Sequence, residues 1–346
     1  MKFDLSEDQA LLRDATRDFL AAEAPVELSR KMSDTNPEGF SRQVWAKLAE
    51  LGYLGLLAPG SAGGQGLGPI ELAVVCEEMG RVALAGPYLD VVLAAKVLEA
   101  AGCTDAVREI ASGQAIAVIA DCDRVWPTQQ SDVSFEGGRV RGTKFFVPFG
   151  AVADRLVATT PAGVVLVDGP FEARPMETLD EAQRFAEIRL DHPAELLGGQ
   201  ELVDCVADLD RVATAAFALG VAERALELAV DYSKERYTFG RPIGSYQALQ
   251  HRMADMLLGA ESSRSTVYRA AWALATDQED AHLLAACAKA AAVAAATHNT
   301  REALQFHGGN GFTWEYDIHY YLKRAVTLEA RCGGPEQAYE DALEAL

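Results

Sequence analysis

The chain has 346 residues, 49% of them apolar, and its 51 acidic residues against 31 Lys and Arg give a net charge of −20. That length can bury the cores of more than one domain, while the acidic balance argues against nucleic acid and anionic lipid surfaces as partners. No apolar run reaches the length of a membrane span, the opening Met1 to Asp8 lacks a signal-peptide pattern, and the six cysteines form no C-x-x-C pair, so a cytoplasmic protein with reduced thiols is expected.

Taken in order, Ser6-x-x-Gln9 reads as a capping box opening a helix with Leu12, Ala15 and Phe19 on one face, stopped by Pro25. Val44, Trp45, Leu48 and Leu51 mark a second helix, ended by Gly52. The Gly-rich run 59–68 lacks the Gly-Lys-Ser/Thr of a phosphate loop and is read as structural. Helices are expected at 69–84, 88–101 and 104–112. At Gly113 the pattern changes to strands: Ala115–Ala120, a hairpin around Glu136-Gly137-Gly138, a second around Pro161-Ala162-Gly163, and a strand through Phe185, Ile188 and Leu190. From Gln200 the chain is helical again, over about 201–235, 245–276, 278–306, 314–331 and 335–345. The Ala-rich run 285–296 suits close helix packing. The expected domains are 1–112 (helical), 113–198 (a small β domain) and 199–346 (a helical bundle).

The stretch Tyr232 to Met256 stands out. Gly240 is placed to close a helix in the left-handed conformation, Pro242 cannot continue one, and Ser245 suits an N-cap of the next. Arg236 and Thr238 beside that bend have the charge and hydroxyl that a pyrophosphate needs, although a plain helix corner with a solvated arginine uses the same residues. Six histidines show no metal spacing, and no Ser-His-Asp order is present. His307 reads as a packed or solvated loop residue.

The pattern Arg236-x-Thr238-Phe239-Gly240, then Gln247 and Ala254-Asp255-Met256, resembles the helix-corner signature of flavin-dependent acyl-CoA dehydrogenases. A second motif of that family follows at the expected distance: Gln305-Phe306-His307-Gly308-Gly309-Asn310-Gly311-Phe312, then Glu315 and Lys323-Arg324. The resemblance implies a mainly α fold with a central β domain: an N-terminal helical domain, a small β-barrel or sandwich, and a C-terminal four-helix bundle. It implies FAD as cofactor, an acyl-CoA substrate and an electron-transfer flavoprotein as acceptor. It also implies that Arg236, Thr238, Phe239, Gln247, Gln305, Gly308 and Gly309 reach the adenosine-diphosphate half of an FAD held by a neighbouring subunit.

In that family a carboxylate takes the α-proton of the thioester while the β-hydrogen leaves as hydride to the flavin. Counting from Arg324, the usual glutamate position is Gly333, so the carboxylate is missing there. Glu329 and Glu336 read as surface acids. Other members place the base just before an arginine on the first long C-terminal helix, which here is Asp210 in Asp208-Leu209-Asp210-Arg211. Asp210 is one methylene shorter than glutamate, and its alternative role is to pair with a helix charge or cap the first turns. The ring-holding segments also depart from the family: Ala120 to Thr128 keeps little of the expected pattern, and Pro148 replaces the flavin-contacting threonine, with Phe146 where the family has tryptophan. Proline offers neither hydroxyl nor N–H.

This asymmetry resembles the motif-degenerate subunit of a heteromeric, actinobacterial-type acyl-CoA dehydrogenase. The expectation is an α2β2 assembly with a second dehydrogenase-like subunit, inactive as the chain alone and acting on fatty, branched or steroid side-chain thioesters. Two alternatives stand beside it: a self-sufficient homo-oligomer with Asp210 as base, and a non-catalytic partner that stabilises a related dehydrogenase.

Overall fold

The computed structural model describes residues 4–123 and 132–344. Helix α1 (Glu7–Glu23) opens on the predicted capping box: the Ser6 hydroxyl accepts from Gln9 N–H, and the Gln9 side chain accepts from Ser6 N–H. Pro25 ends it, but a further helix missing from the sequence reading, α2 (Val26–Thr35), begins at the next residue. A proline at the mouth of a helix sacrifices no helical hydrogen bond, so Pro25 both stops one helix and starts another. Helix α3 (Arg42–Glu50) is capped by Ser41 and ends beside Gly52, whose φ is +81°. The Gly-rich run then folds back on the chain that precedes it, with Gln65, Gly66 and Leu67 N–H groups bonding Gly55, Ala58 and Leu56 carbonyls. Its donors are spent on backbone, as a structural loop requires. Helices α4 (Pro69–Arg81), α5 (Tyr88–Ala100) and α6 (Thr104–Ala111) follow.

The central strands are β1 (Ala117–Ala120), β2 (Ser134–Glu136), β3 (Arg139–Pro148), β4 (Arg155–Thr160), β5 (Gly163–Asp168), β6 (Glu172–Met176), β7 (Phe185–Pro193) and β8 (Glu195–Gly198). They form two four-stranded sheets, ordered β1-β4-β5-β8 and β2-β3-β7-β6. The two strands missed from sequence, β6 and β8, are edge strands. Edges are short, charged and tolerant of proline, which erases the alternation that reveals inner strands; β6 reads Glu-Ala-Arg-Pro-Met.

The C-terminal part holds α7 (Glu201–Asp204), α8 (Ala207–Glu235), a two-residue hairpin of β9 (Tyr237–Thr238) and β10 (Arg241–Pro242), α9 (Gln247–Ala275), α10 (Ala281–His307), α11 (Ile318–Ala330) and α12 (Gly334–Glu344). The bend differs from expectation at two residues. Gly240 is left-handed, with φ +81°, but it closes a hairpin and not a helix. Ser245 is no N-cap: it ends a 3-10 turn, its hydroxyl bonds the Pro242 carbonyl at 2.7 Å, and α9 starts after Tyr246.

The described residues divide into two compact units, one of 4–30, 69–84 and 208–344, the other of 31–68 and 85–207. In the first, α4 and α8 cross in backbone contact. A Cβ on Gly220 would lie 1.9 Å from the Glu77 carbonyl oxygen, and one on Gly80 2.0 Å from that of Phe217. The buried Asn299 of α10 donates to the Ala222 and Met256 carbonyls at 3.0 Å each, tying α8, α9 and α10 together. Beside the crossing, charges pair internally: Arg264 with Glu77 and Glu223, Arg81 with Glu223 and Glu227, and Arg17 with Glu78. In the second unit the core is formed by α5 and the inner strands, with Val118, Val140, Val147, Leu156, Val157 and Ile188 fully buried. Among the described residues no helix is long and apolar enough to cross a membrane.

Candidate functional site

The first motif forms a projecting arm. Helix α8 ends at Glu235, Arg236 N–H bonds the Tyr232 carbonyl at 2.9 Å, and the Arg236 carbonyl accepts from Ile243 N–H at 2.8 Å. Between these bonds the chain makes the β9–β10 hairpin, with Arg241 paired to Thr238. Its tip is Phe239-Gly240, both left-handed at φ +50° and +81°. Two such residues in succession suit a tight hairpin, but a phenylalanine there is strained, and a strained residue persists where something else holds it. Phe239 is 97% exposed. Arg241 stacks over Tyr246 at 3.9 Å, and Tyr246 OH bonds the Thr238 carbonyl at 3.2 Å, so the hairpin is braced from its base. Arg236 is exposed and makes no ion pair among the described residues, and Gln247 is exposed as the first residue of α9.

The second motif lies at the end of α10. Gln305 is exposed while Phe306 and His307 are buried. Gly308 leaves the helix at φ +60°, ψ −137°, opening a 3-10 turn over Gly308–Phe312. Space is open where a Cβ would stand on Gly240, Gly308 or Gly309. The motifs, some seventy residues apart, are brought together by side-chain contacts that the sequence pattern does not show. The Tyr232 ring stacks on His307 at 4.2 Å and 24°, Asn310 Nδ2 donates to Tyr232 OH at 3.2 Å, and Tyr316 sets its edge against both rings. The available clue was Tyr232 one helical turn before Arg236. His307 is a packed residue: its Nδ1 lies 2.7 Å from the Ala303 carbonyl, and burial holds its pKa below the usual value.

Asp210 sits in the first turn of α8. Its Oδ1 accepts from Arg331 Nε at 2.7 Å and from Thr214 Oγ1 at 3.1 Å. Arg331 opens the turn at the missing-glutamate position, where Cys332, Gly333 and Gly334 have φ of +56°, +91° and +80°. Gly333 cannot take a side chain there without movement, since a Cβ would lie 2.8 Å from Gln337 Cγ. The turn is held further by the buried Lys289, whose Nζ bonds the Gly334 carbonyl at 3.2 Å and whose pKa burial lowers. Burial pushes the Cys332 thiol up to about 12, with neighbouring Asp210 adding to the rise, so it carries no thiolate near neutrality. Glu329 accepts from Thr297 at 3.0 Å, and Glu336 is exposed.

In the second unit, β3 carries an irregularity between Lys144 and Val147. Phe146 emerges there at φ +50°, 41% exposed, and Pro148 pairs with Phe185. Pro148 presents no donor at the strand position where the family's threonine is expected. Of the segment expected to enter the β domain along the flavin ring, residues 124–128 lie outside the described residues.

Comparison with known proteins decides the assignment. Residues 6–119 match the model of the acyl-CoA dehydrogenase N-terminal domain and 199–340 that of the acyl-CoA dehydrogenase C-terminal domain. The chain is 34% identical over 324 residues to the acyl-CoA dehydrogenase IpdE2 of Mycobacterium tuberculosis, covering 92% of this chain and 91% of that one. It belongs to the acyl-CoA dehydrogenase family. Among solved structures it is similar to a chain of the ChsE4-ChsE5 complex from Mycobacterium tuberculosis, with TM-score 0.89, 28% identity, and coverage of 99% and 98% of the two chains. It is also similar to the Tcur3481-Tcur3483 steroid acyl-CoA dehydrogenase G363A variant, with TM-score 0.87, 28% identity, and coverage of 98% and 97%. Family membership makes the chain an oxidoreductase with FAD as its cofactor. The arm fits the diphosphate of that cofactor in kind: an exposed guanidinium with no ion pair among the described residues, a hydroxyl, a side-chain amide and glycines that leave room for close approach.

Proposed function

We propose that this chain is the arm-donating subunit of a hetero-oligomeric acyl-CoA dehydrogenase, an α2β2 assembly in which it completes the FAD site of a better-equipped partner. Bound FAD supplies the hydride acceptor of the dehydrogenation. In this reading Arg236, Thr238 and Gln305 hold the diphosphate, Gly308 and Gly309 let it approach the backbone, and Phe239 and Gln247 line its adenosine side. The observation that carries the proposal is the contrast within one chain. Both family motifs of the arm are complete and joined by an aromatic stack, whereas the glutamate position is a left-handed glycine that takes no side chain unless Gln337 moves, and the ring-facing threonine is Pro148. Two of the similar structures are named for pairs of chains, one of them a steroid dehydrogenase. Their names support a second dehydrogenase-like subunit and a bulky acyl-CoA thioester, such as a steroid side chain, as substrate. Reoxidation by an electron-transfer flavoprotein and a cytoplasmic location complete the reading.

Expression of the chain alone and together with a partner dehydrogenase tests it. The expected result is colourless, inactive protein alone and one FAD per heterodimer with activity in the complex. A lone chain that purifies yellow, with one FAD per chain and full activity, overturns it.

One observation favours a second reading, in which Asp210 is the base. Its carboxylate accepts from Arg331, the first residue of the turn that holds Gly333, which supports that reading. Activity of the assembled enzyme surviving Asp210→Asn removes that reading.

A further inference from the structure

We propose that Tyr232, His307 and Asn310 form a hub that locks the Arg236 hairpin and the Gly308–Gly309 turn into one preorganised diphosphate cradle. This rests on the reading of the arm as an FAD-diphosphate site and names the positioning residues of that site. The arm is made of two loops that no backbone hydrogen bond joins among the described residues. Each alone is costly to order: the hairpin tip holds Phe239 at φ +50°, and the turn contains Gly308, Gly309 and Gly311. Glycine-rich backbone loses the most conformational freedom when a ligand fixes it, and that loss is subtracted from affinity.

The hub takes up this ordering before any ligand arrives. Tyr232 is tied to the first loop through its backbone, since its carbonyl accepts from Arg236 N–H at 2.9 Å. Its ring is tied to the second loop twice, by the 4.2 Å stack on His307 and by the 3.2 Å bond from Asn310 Nδ2 to its hydroxyl. The His307 ring is itself fixed. The Ala303 carbonyl 2.7 Å away can only accept, so Nδ1 carries the proton and the ring plane is set by α10. Tyr316 closes the edge of the stack, with ring centres 5.8 Å from Tyr232 and 5.4 Å from His307. None of these side chains needs to touch the phosphates; they act through Arg236 and the glycine backbone.

The test uses the assembled complex stripped of flavin. FAD binding is read by flavin fluorescence, and binding of ADP, which has the diphosphate but no isoalloxazine, is read by competition. Tyr232→Ala and His307→Ala are expected to weaken both ligands about tenfold, the scale of one aromatic stacking interaction. His307→Phe, which keeps a stacking ring, is expected to recover affinity to within about threefold, and Asn310→Ala to lose about fivefold. Because the hub acts partly through Arg236 and partly through the glycine backbone, Tyr232→Ala combined with Arg236→Ala is expected to lose less affinity than the two single losses added as free energies. Unchanged FAD and ADP affinity in the ring variants, with Arg236→Ala still weakened, overturns the hub and leaves the arm standing. Fully additive losses in the double variant also overturn it, as a general stability effect. If Arg236→Ala itself changes nothing, the arm reading falls and the hub with it. Should Tyr232→Ala and His307→Ala fail to assemble, Asn310→Ala and His307→Phe decide alone: affinity unchanged by Asn310→Ala overturns the hub.

Discussion

Replacing Asp210 with asparagine separates a clamp from a base. The carboxylate and its Arg331 partner are 22% and 23% exposed, so the pair lies between a solvated surface bridge and a fully buried one. Exposed pairs contribute about 0–1 kcal/mol and breaking a buried pair costs about 3–5, which brackets this one. Asparagine still offers an acceptor to Arg331 Nε and Thr214, so the loss reduces to that of the charge, about 1–2 kcal/mol. As a clamp on the 331–334 turn, Asp210→Asn should lower the thermal midpoint of the assembled enzyme by a few degrees. Flavin content should stay unchanged, and activity should remain within about threefold. As a base, it should lose about 10²–10⁴-fold in kcat with little change in midpoint, because an amide cannot take the α-proton. Thermal unfolding and steady-state rates on one preparation give both numbers. A large rate loss at constant stability refutes the clamp, and no change in either quantity refutes both accounts.

Arg236→Ala should release FAD from the assembled protein during gel filtration without unfolding it, since a charge-assisted bond contributes about 1.5–3 kcal/mol; stoichiometric flavin after the column would contradict this. Gly220→Ala should destabilise by more than about 3 kcal/mol or abolish folding, because the new Cβ would meet the Glu77 carbonyl oxygen at 1.9 Å, and denaturant titration measures it. Glu227 is pushed up by burial but held below the usual glutamate range by the outweighing hydrogen bonds from Arg81 and Arg224. Its stability contribution is therefore present above about pH 4.5 and lost as pH falls through its folded value, so Glu227→Gln should flatten the acid limb of a stability–pH curve.

What the sequence revealed and what it hid follow from the range of the interactions. The capping box of α1 involves only Ser6 and Gln9, and it was legible. The hairpins at Gly137-Gly138 and near Ala162 were legible for the same reason. Helix α2 is hidden because a proline that stops one helix looks the same in sequence as one that starts the next, and β6 because an edge strand needs no alternation. Ser245 had the right chemistry for a cap, but the 3-10 turn it ends delays α9 by two residues. At the site, Arg236, Gln305 and the glycines could be found as motifs, whereas the stack of Tyr232 on His307 joins residues 75 apart in the chain and leaves no local pattern. The partner of Asp210 was illegible in the same way, since Arg331 is 121 residues distant.

The α4–α8 crossing also sets a schedule for synthesis. Helix α4 buries Leu72, Val74, Val75, Cys76 and Met79 almost completely, and it does so in the unit whose remaining bulk begins at Asp208. At about 5–20 residues per second, the partner helix leaves the ribosome roughly 6–25 s after α4 is complete. Through that interval an apolar helix face waits without its partner, while the strands between them are being made. The nascent chain is therefore most exposed to aggregation or chaperone capture before α8 emerges, and slower translation of residues 85–207 should lower the yield of folded protein.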